Sequence, residues 1–213
     1  MISIPQDGIL LVHKPVGPTS HDIVAQIRRL TGIQRVGHAG TLDPFAEGLL
    51  IILIGRETTK RQTEFLTMDK TYEAVIRLGA RSTTDDLTGQ IKSISMAKPV
   101  LPLKVQNVVN ECLGTHDQLP PAFSAKKIKG KKAYELARQG IVPDLTPKQI
   151  TISKIDLLEY AWPLLTIRVN VSSGTYIRAL ARDIGEKLGC GAYCEKLIRT
   201  SIGKYLLNDA IPL

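Results

Sequence analysis

The longest apolar run in the chain, residues 49–54 (LLIILI), directly follows a stretch that glycine and proline interrupt. The run is far too short to span a bilayer, and it predicts a buried β-strand over residues 49–53. Residues 35–48 contain polar side chains without helical or strand periodicity, which indicates a loop. Because catalytic groups tend to lie in loops that firm elements hold, we predict a functional site there.

The rest of the chain predicts several strands and few helices. Residues 70–78 alternate with a period of two, which places Tyr72 on the apolar face of a strand. Further strands are predicted over residues 9–12, 90–94, 150–160 and 164–171, and helices over residues 105–113, over residues 177–188, and from a cap at Thr19 or Ser20 to Gly32. Strict βαβ alternation is missing, so we expect an α+β fold with a central mixed, largely antiparallel sheet flanked by helices.

Two details of this prediction concern packing. We expect residues 90–94 to pair antiparallel with residues 70–78 across a polar turn at residues 82–89. The first helix is expected to bury one apolar face, formed by Ile23, Val24, Ile27 and Leu30.

The length of the chain limits the number of domains, and its net charge indicates the kind of partner. With 213 residues and 43% hydrophobic residues, the chain is expected to form one domain over residues 1–213. Residues 118–147 are rich in Pro, Gly and Lys, with a short helical stretch predicted around residues 133–138, and are interpreted as an insertion that leaves the core. The 28 Lys and Arg residues exceed the 20 Asp and Glu residues, giving a net charge of +8. This excess favours a nucleic acid as partner.

Cysteine usage and the N-terminus indicate a cytoplasmic protein without a metal. Three cysteines without a paired C-x-x-C motif argue against a disulfide framework and a tetrathiolate zinc site. Cys190 and Cys194 could face one side of a helix, and His38 lacks a second ligand at helical or turn spacing, so no metal is expected. The N-terminus lacks the order of a secretion signal, and no Rossmann or P-loop glycine pattern occurs.

One segment of the predicted loop carries a long motif. Residues 37–50, GHAGTLDPFAEGLL, closely resemble the signature of the bacterial tRNA pseudouridine-55 synthase family. Other segments resemble family positions in the family's order over nearly the whole chain: Lys14-Pro15, residues 69–72, Asp86, residues 89–91, residues 124–126, residues 130–132, residues 174–178 and residues 185–191.

This resemblance implies a pseudouridine synthase fold and assigns roles to several side chains. Asp43 matches the catalytic aspartate, Tyr72 matches a tyrosine that lies against the target base, and Arg178 matches an arginine that pairs with the aspartate. Leu197 resembles a residue that packs against the base, and Tyr176 is expected to support the pocket. Because family members commonly carry a C-terminal RNA-binding module, the chain is expected to be a short form without a separate one.

The chemistry requires an ionised and positioned carboxylate. Converting uridine to pseudouridine breaks the N1–C1′ bond and rejoins the base through C5 without redox change, so no cofactor is expected. Asp43 could attack C1′ or remove the 2′ proton, and the sequence leaves both routes open. Burial raises the pKa of a carboxylate and a nearby arginine lowers it, so Asp43 requires a cation. Arg178 is the candidate, and Arg182, one helical turn further on, is the alternative.

Two rings are expected to handle the base. Tyr72 is expected to stack on the extracted uracil, and its hydroxyl could also assist removal of the C5 proton. A base must leave its stack before C1′ is reached, and His38 is predicted to fill the vacated space.

The insertion is expected to act as a basic thumb on the RNA backbone. It carries Lys126, Lys129, Lys131 and Lys132, interleaved with glycine, which suits contacts to phosphates. We therefore expect a monomeric isomerase that converts uridine 55 in the T-arm of tRNA, acting without a membrane. The alternatives are the same chemistry on another RNA, or a tRNA-binding module that does not need Asp43.

Overall fold

The structure is a computed structural model that describes residues 7–95, 97–124 and 145–213, and the backbone of residues 127–128 and 131–132. The helices are α1 (Ser20–Thr31), α2 (Arg56–Lys60), α3 (Gln62–Leu66), α4 (Pro102–Asn110) and α5 (Ile177–Leu188). The strands are β1 (Gly8–Lys14), β2 (Val36–Ala39), β3 (Glu47–Ile54), β4 (Lys70–Leu78), β5 (Ala80–Ser82), β6 (Ile91–Ser93), β7 (Gly114–Gln118), β8 (Lys127–Ile128), β9 (Lys131–Lys132), β10 (Lys148–Ala161), β11 (Leu164–Val171), β12 (Ala192–Ile202), β13 (Tyr205–Leu206) and β14 (Ile211–Pro212).

The chain forms two compact units, one of residues Met1–Glu73 with Leu197–Leu213 and one of residues Ala74–Lys196. In the first unit β3 pairs antiparallel with β1 along one edge. Along its other edge β3 pairs antiparallel with β2 and, at its start, parallel with β12. Strand β14 pairs parallel with β1. The sheet of this unit is therefore mixed, as the sequence predicts.

Strand β3 is the centre of the first unit because both of its faces are buried. Leu50, Ile52 and Ile54 pack against α1. Leu49, Ile51 and Leu53 alternate with them and pack on the opposite face with Phe65 of α3 and Ile202 of β12. A strand covered on both faces has an unbroken apolar sequence, which is the pattern from which the strand was predicted.

Helix α1 forms as predicted, with one exception on its apolar face. Thr19 caps it through a reciprocal hydrogen-bonded pair with Asp22, and Gly32 ends it in the left-handed conformation. Three of the four predicted apolar residues are buried, but Leu30 is 61% exposed, so its assignment to the core was wrong. Leu30 lies in the last turn of α1, next to the exposed Arg28 and Arg29.

In the second unit the strand order is β12, β4, β11, β10 and β7. Strands β10 and β11, both predicted as strands, form an antiparallel hairpin, and β7 pairs antiparallel with β10. Helix α5 spans residues 177–188 and ends at left-handed Gly189, as predicted. Helix α4 begins and ends earlier than predicted, because Pro102 fits the first turn of a helix and the chain enters β7 at Gly114.

Several other expectations were wrong. Residues 36–39 form β2 rather than loop, so His38 lies on a strand and the loop is confined to residues 40–46. Strand β6 pairs with β5 instead of β4, because Gly79 at a φ of +82° separates β4 from β5. Strand β12, which contains Cys194, and helices α2 and α3 were not predicted.

The insertion is described only in part. Strands β8 and β9 form a short antiparallel hairpin that contains the backbone of Lys131 and Lys132. Lys126, Lys129 and the helical stretch predicted near residues 133–138 lie outside the described residues. The predicted α+β class, with a mixed sheet flanked by helices, is confirmed. Within the described ranges, no helix is long and apolar enough to cross a membrane.

Gly48 provides a test of this architecture. Its φ is +117°, and a Cβ atom there would lie 2.4 Å from the Arg199 carbonyl oxygen and 2.6 Å from the Arg199 nitrogen. Because backbone atoms of a paired strand cannot move aside, we expect Gly48→Ala to lower the free energy of unfolding by more than about 3 kcal/mol. Urea denaturation measures this change.

Gly8→Ala is the matched control, because Gly8 has a φ of +120° and open space where a Cβ would stand. Only the strain of a positive φ acts at Gly8, so we expect a loss of about 1–2 kcal/mol. Equal losses in the two variants would mean that the close contact between β3 and β12 is not what requires glycine at position 48.

Candidate active site

Asp43 lies in the loop that closes the β2–β3 hairpin, residues 40–46. The loop has a turn in which the Ala46 amide donates to the Asp43 carbonyl at 3.1 Å. Leu42 and Phe45 are buried on either side of Asp43, whereas Asp43 itself is half-buried. The two buried apolar side chains therefore anchor the loop on either side of Asp43.

The first turn of α1 holds this loop through one serine. The Ser20 hydroxyl accepts from the Leu42 amide at 2.9 Å and lies 3.1 Å from the Leu42 carbonyl oxygen, to which it donates. Ser20 is buried, so water does not compete for these bonds. The amide of Gly17 also donates to the Pro44 carbonyl at 2.8 Å. The peptides on both sides of Asp43 are thereby fixed to the segment that precedes and begins α1.

A buried arginine holds the start of the loop from β12. Arg199 is 1% exposed, and its guanidinium donates to three backbone carbonyls, those of Leu49 at 2.7 Å, Gly40 at 3.0 Å and Thr41 at 3.3 Å. These carbonyls belong to the loop and to the strand that follows it. Arg199 therefore fixes the backbone just before Asp43 relative to β3.

A second buried cation lies close to Asp43. Lys14, at the end of β1, is fully buried, and its ammonium donates to the carbonyls of Pro15 at 2.8 Å and Pro18 at 3.0 Å. Burial lowers the pKa of Lys14 to about 8, and the nearby charge of Asp43 opposes this shift. Asp43 thus helps to keep Lys14 positively charged in the protein.

Tyr72 in β4 and Leu197 in β12 are both buried residues of the first unit. Tyr72 is 7% exposed and lies on the buried face of β4, as predicted. Leu197 is 6% exposed and lies in β12, two residues before Arg199. The strand that contributes Leu197 therefore also contributes the side chain that holds the Asp43 loop.

His38 is half-buried at the middle of β2. Its carbonyl accepts from the Gln62 side-chain amide at 2.6 Å, and its ring lies 5.2 Å from the ring of His21. Burial, followed by the charges of His21 and Arg199, lowers the pKa of His38 to about 4. The imidazole is therefore neutral at physiological pH.

In the second unit, Arg178 in the first turn of α5 is 5% exposed and firmly held. Its Nη1 lies 3.2 Å from Asp86 Oδ2 and donates to the Thr84 carbonyl at 3.0 Å. Its Nη2 donates to the Phe123 carbonyl at 3.1 Å. The orientation of the guanidinium plane is thus set by contacts on two of its nitrogens.

Asp86 is itself saturated with hydrogen bonds. Its Oδ1 accepts from the Thr84 hydroxyl at 2.6 Å, the Thr88 hydroxyl at 2.6 Å and the Thr88 amide at 2.9 Å. These neutral donors satisfy the buried carboxylate without adding charge, which leaves Oδ2 for Arg178.

Arg182, one turn further along α5, is neutralised by two carboxylates. Its Nη1 lies 2.8 Å from Asp85 Oδ2, and its Nη2 lies 2.9 Å from Asp183 Oδ1. Burial raises the pKa of Asp85, and the charges of Arg182 and Arg178 oppose this shift. The ion pairs of the two arginines therefore involve different carboxylates, Asp86 for Arg178 and Asp85 with Asp183 for Arg182.

Tyr176 precedes α5 and is fixed through its backbone. The Gln118 side chain accepts from the Tyr176 amide at 2.8 Å and donates to the Tyr176 carbonyl at 3.0 Å. Gln118 is buried at the end of β7, where the insertion begins. The same segment is bound by Arg182, which donates to the Leu119 carbonyl at 2.8 Å. Gln118 and α5 together anchor the base of the insertion.

The structure adds residues that the sequence did not identify. It places Asp43, His38, Tyr72 and Leu197 in the first unit, and Arg178 and Tyr176 in the second. The sequence did not identify Ser20 and Arg199 as residues that bind the backbone near Asp43, or Gln118 as one that binds the backbone of Tyr176. No sequence signal indicated Arg199, because β12 mixes polar with apolar residues and was not itself predicted. The side chains of Lys126, Lys129, Lys131 and Lys132 lie outside the described residues.

Comparison with known proteins identifies the class of protein that combines this fold and loop. Residues 28–177 match the profile of the "TruB family pseudouridylate synthase (N terminal domain)". Residues 178–213 match that of the "tRNA pseudouridylate synthase B C-terminal domain". The chain therefore belongs to the TruB family of pseudouridylate synthases, which confirms the resemblance seen in the sequence.

Relatives in other organisms have a more specific name. A protein of Protochlamydia amoebophila named tRNA pseudouridine synthase B is 45% identical over 205 residues, which are 96% of this chain and 78% of that protein. A protein of Dechloromonas aromatica with the same name is 45% identical over 207 residues, covering 97% and 69% of the two chains.

Solved structures with this fold include two assemblies. In a Cbf5-Nop10-Gar1 complex, one chain superposes with a TM-score of 0.75 at 28% identity over 98% of this chain. A chain of an H/ACA RNP bound to a substrate RNA containing 2'-deoxyuridine superposes with a TM-score of 0.72 at 27% identity over 97% of this chain. The present chain spans 53% and 51% of those chains, about half of their length.

The buried ammonium of Lys14 predicts a pH dependence of stability. The pKa of Lys14 is about 8 in the folded protein and 10.5 in its unperturbed state, so between these values the unfolded chain binds more protons. The free energy of unfolding therefore rises with pH in this window. Below pH 8 the folded protein must bury a charged ammonium, and the full energetic cost of that burial applies only there. We expect the unfolding free energy of the wild type to rise, relative to Lys14→Met, by as much as about 3 kcal/mol from pH 8 to 10.5.

Urea denaturation at several pH values measures this difference. Lys60→Met removes an exposed lysine and controls for the loss of one positive charge. A difference between wild type and Lys14→Met that stays constant across the window would contradict the assignment.

Proposed function

We propose that this chain converts a uridine of tRNA into pseudouridine, and that the target is uridine 55 in the T-arm. The family and the names of the relatives support tRNA as substrate, and residues 37–50 support the particular position. The observation that carries the proposal is the support of the Asp43 loop by Ser20, Arg199 and Gly17. Reactions at C1′ need a carboxylate in a fixed position, and such a loop supplies it.

Asp43 is the proposed reactive group, by one of two routes. In the first, a carboxylate oxygen bonds to C1′ as the N1–C1′ bond breaks and the uracil leaves with the electron pair. In the second, the carboxylate takes the 2′ proton, the N1–C1′ bond breaks by elimination, and the proton later returns to C2′. In both routes the uracil turns and C5 bonds to C1′, which in the first route breaks the bond between C1′ and the Asp43 oxygen and releases the carboxylate. C5 then loses its proton and N1 gains one, so atoms and oxidation states balance.

Arg178 is the proposed cationic partner of Asp43 in the working enzyme. Its guanidinium is held in one orientation by Asp86 and by the carbonyls of Thr84 and Phe123, so it can present its charge without reorganising. Arg182, which forms ion pairs with Asp85 and Asp183, is the alternative candidate. The pairing of Arg178 with Asp43 stays a prediction.

Three further side chains are proposed to bind the target base. Tyr72 is proposed to stack on the uracil, supported by its burial on β4, and Leu197 to pack against the base from β12. Tyr176 is proposed to support the pocket, because Gln118 fixes both of its backbone hydrogen-bonding groups.

His38 is proposed to fill the place that the flipped uridine leaves in the RNA stack. Its pKa of about 4 keeps the ring neutral, and a neutral ring enters a stack of bases without the loss of hydration that a charged ring suffers. Strand β2, which carries it, is fixed to β3 along its whole length.

Four lysines of the insertion are proposed to contact RNA phosphates: Lys126, Lys129, Lys131 and Lys132.

The proposed enzyme acts as a monomer in the cytoplasm. Free thiols at Cys112, Cys190 and Cys194 suit a reducing compartment. That residues 1–213 form one catalytic domain stays a prediction.

Replacing Asp43 tests the reaction directly. Asp43→Asn keeps the shape of the side chain but removes the ionised oxygen, so we expect no turnover while tRNA binding is retained. A tRNA transcript labelled with tritium at C5 of its uridines releases tritium as the C5–C1′ bond forms. Gel-shift titration measures binding of the same transcript.

Glu57→Gln is the matched control, because Glu57 is an exposed carboxylate in α2 and its conversion to an amide is expected to leave turnover unchanged. A transcript with cytidine at position 55 tests the target position. Turnover by pure Asp43→Asn protein would falsify the role of Asp43. If the wild-type protein binds tRNA but converts no uridine in any tRNA tested, the alternative of a tRNA-binding module would be favoured.

The basic insertion predicts a salt dependence of tRNA binding. Each phosphate contact contributes roughly 0.7–0.9 to the slope of log affinity against log salt, so replacing Lys129, Lys131 and Lys132 with Ala should flatten the slope by about two to three. The single-turnover rate at saturating tRNA should stay near that of the wild type, since these lysines position the backbone and do not touch the glycosidic bond.

The control is a triple alanine variant at Lys92, Lys98 and Lys154, which are exposed lysines of the same unit. It removes the same charge from outside the insertion. Equal slopes for the two triple variants would mean that the insertion does not form the phosphate footprint.

A further inference from the structure

The first turn of α1 brings a second imidazole against His38. The ring centroids of His21 and His38 are 5.2 Å apart, and the ring planes are inclined by 82°. This edge-to-face geometry is the favourable arrangement for two aromatic rings. His21 is exposed and His38 is half-buried, so the pair lies at the surface with His38 on its inner side.

The ring of His38 has few other restraints. Nδ1 of His38 is buried without a hydrogen-bond partner in the part of the chain that the structure describes. The bond from Gln62 reaches the His38 carbonyl and therefore fixes the strand rather than the ring. The ring contact with His21 is thus the described interaction that can select the orientation of the His38 imidazole.

His21 is well placed to impose an orientation because its own backbone is rigid. Thr19 and Asp22 form the capping box on either side of it, and Ser20 is bonded to Leu42 in the Asp43 loop. A side chain in the first turn of a capped helix has a restricted position relative to that helix.

We propose that His21 is a positioning residue that holds the His38 ring in the orientation needed to occupy the place vacated by the flipped uridine. This role rests on the proposed function of His38, and His21 acts through His38 instead of on the uridine. Since an edge-to-face pair contributes modestly, its loss should slow productive engagement of folded tRNA about 2- to 10-fold.

The test compares His21→Ala with His21→Phe, which keeps an aromatic ring at the same place. Single-turnover rates are measured on folded tRNA and on a short unstructured oligoribonucleotide that contains the same uridine. We expect His21→Ala to be slowed on folded tRNA but not on the oligonucleotide, which has no stack to fill, and His21→Phe to be close to wild type on both. His116→Ala, a histidine truncation on β7, is the matched control.

A double-substitution cycle assigns the effect to the pair. If His21 acts through His38, then His21→Ala should add nothing to the loss caused by His38→Ala. Additive losses, or failure of His21→Phe to restore the rate, would overturn the proposal. A uniform loss on both RNAs would indicate a general defect of the fold and would overturn it as well.

A binding measurement that does not depend on turnover distinguishes this proposal from the proposed function. In the Asp43→Asn background, a tRNA with 2-aminopurine at the target position reports unstacking by a rise in fluorescence. We expect His21→Ala to slow this rise and His21→Phe to restore it. Absence of turnover in the wild type would defeat the proposed function but not the inference, whereas an unchanged fluorescence rise in His21→Ala would defeat the inference alone.

Discussion

The hydrogen bonds from Arg199 to three backbone carbonyls are the interaction on which the geometry near Asp43 depends. A loop between two paired strands leaves peptide groups without partners, and a buried carbonyl in that state destabilises the fold. One guanidinium has donors enough for the carbonyls of Gly40, Thr41 and Leu49 together. The loop thus keeps one conformation although it has little regular structure of its own.

This arrangement also explains why β12 and β3 approach each other so closely. Arg199 lies opposite Gly48 in the parallel register, and the space for a Cβ at position 48 is filled by the backbone of Arg199. Glycine at that position lets the strands meet, and their meeting brings the guanidinium under the loop. The Arg199 side chain and the absence of a Cβ at Gly48 therefore depend on each other. A substitution at either position is expected to affect the backbone next to Asp43.

Local patterns in the sequence predicted the elements whose folding is local. The alternation over β4 and the apolar stripe of α5 predicted their bounds, because these periods follow directly from burial of one face. The short strand β2 was taken for loop, since four residues including a glycine are too few to reveal a period. Strand β12 follows a glycine pair and mixes polar with apolar residues, so its pattern did not predict it.

The candidate site was predictable only where a motif marked it. Asp43, Tyr72 and Arg178 were identified through resemblance, whereas Arg199 and Gln118 were not, because a bond between residues about 60 or 150 positions apart leaves no trace in local periodicity. The sequence alone likewise could not show how the surroundings of Arg178 and Arg182 differ. Both arginines lie on one face of α5, yet their ion pairs involve different carboxylates, Asp86 for Arg178 and Asp85 with Asp183 for Arg182.

The first turn of α1 connects the two parts of the first unit that are proposed to act on the RNA. Ser20 bonds the loop that contains Asp43, and its neighbour His21 contacts the ring of His38. Because adjacent residues of a capped helix cannot shift independently, α1 holds the Leu42 backbone next to Asp43 and contacts the His38 ring from one rigid segment. A base that leaves its stack must travel a fixed distance to the reacting atoms, so this rigidity matches the geometry of the proposed reaction.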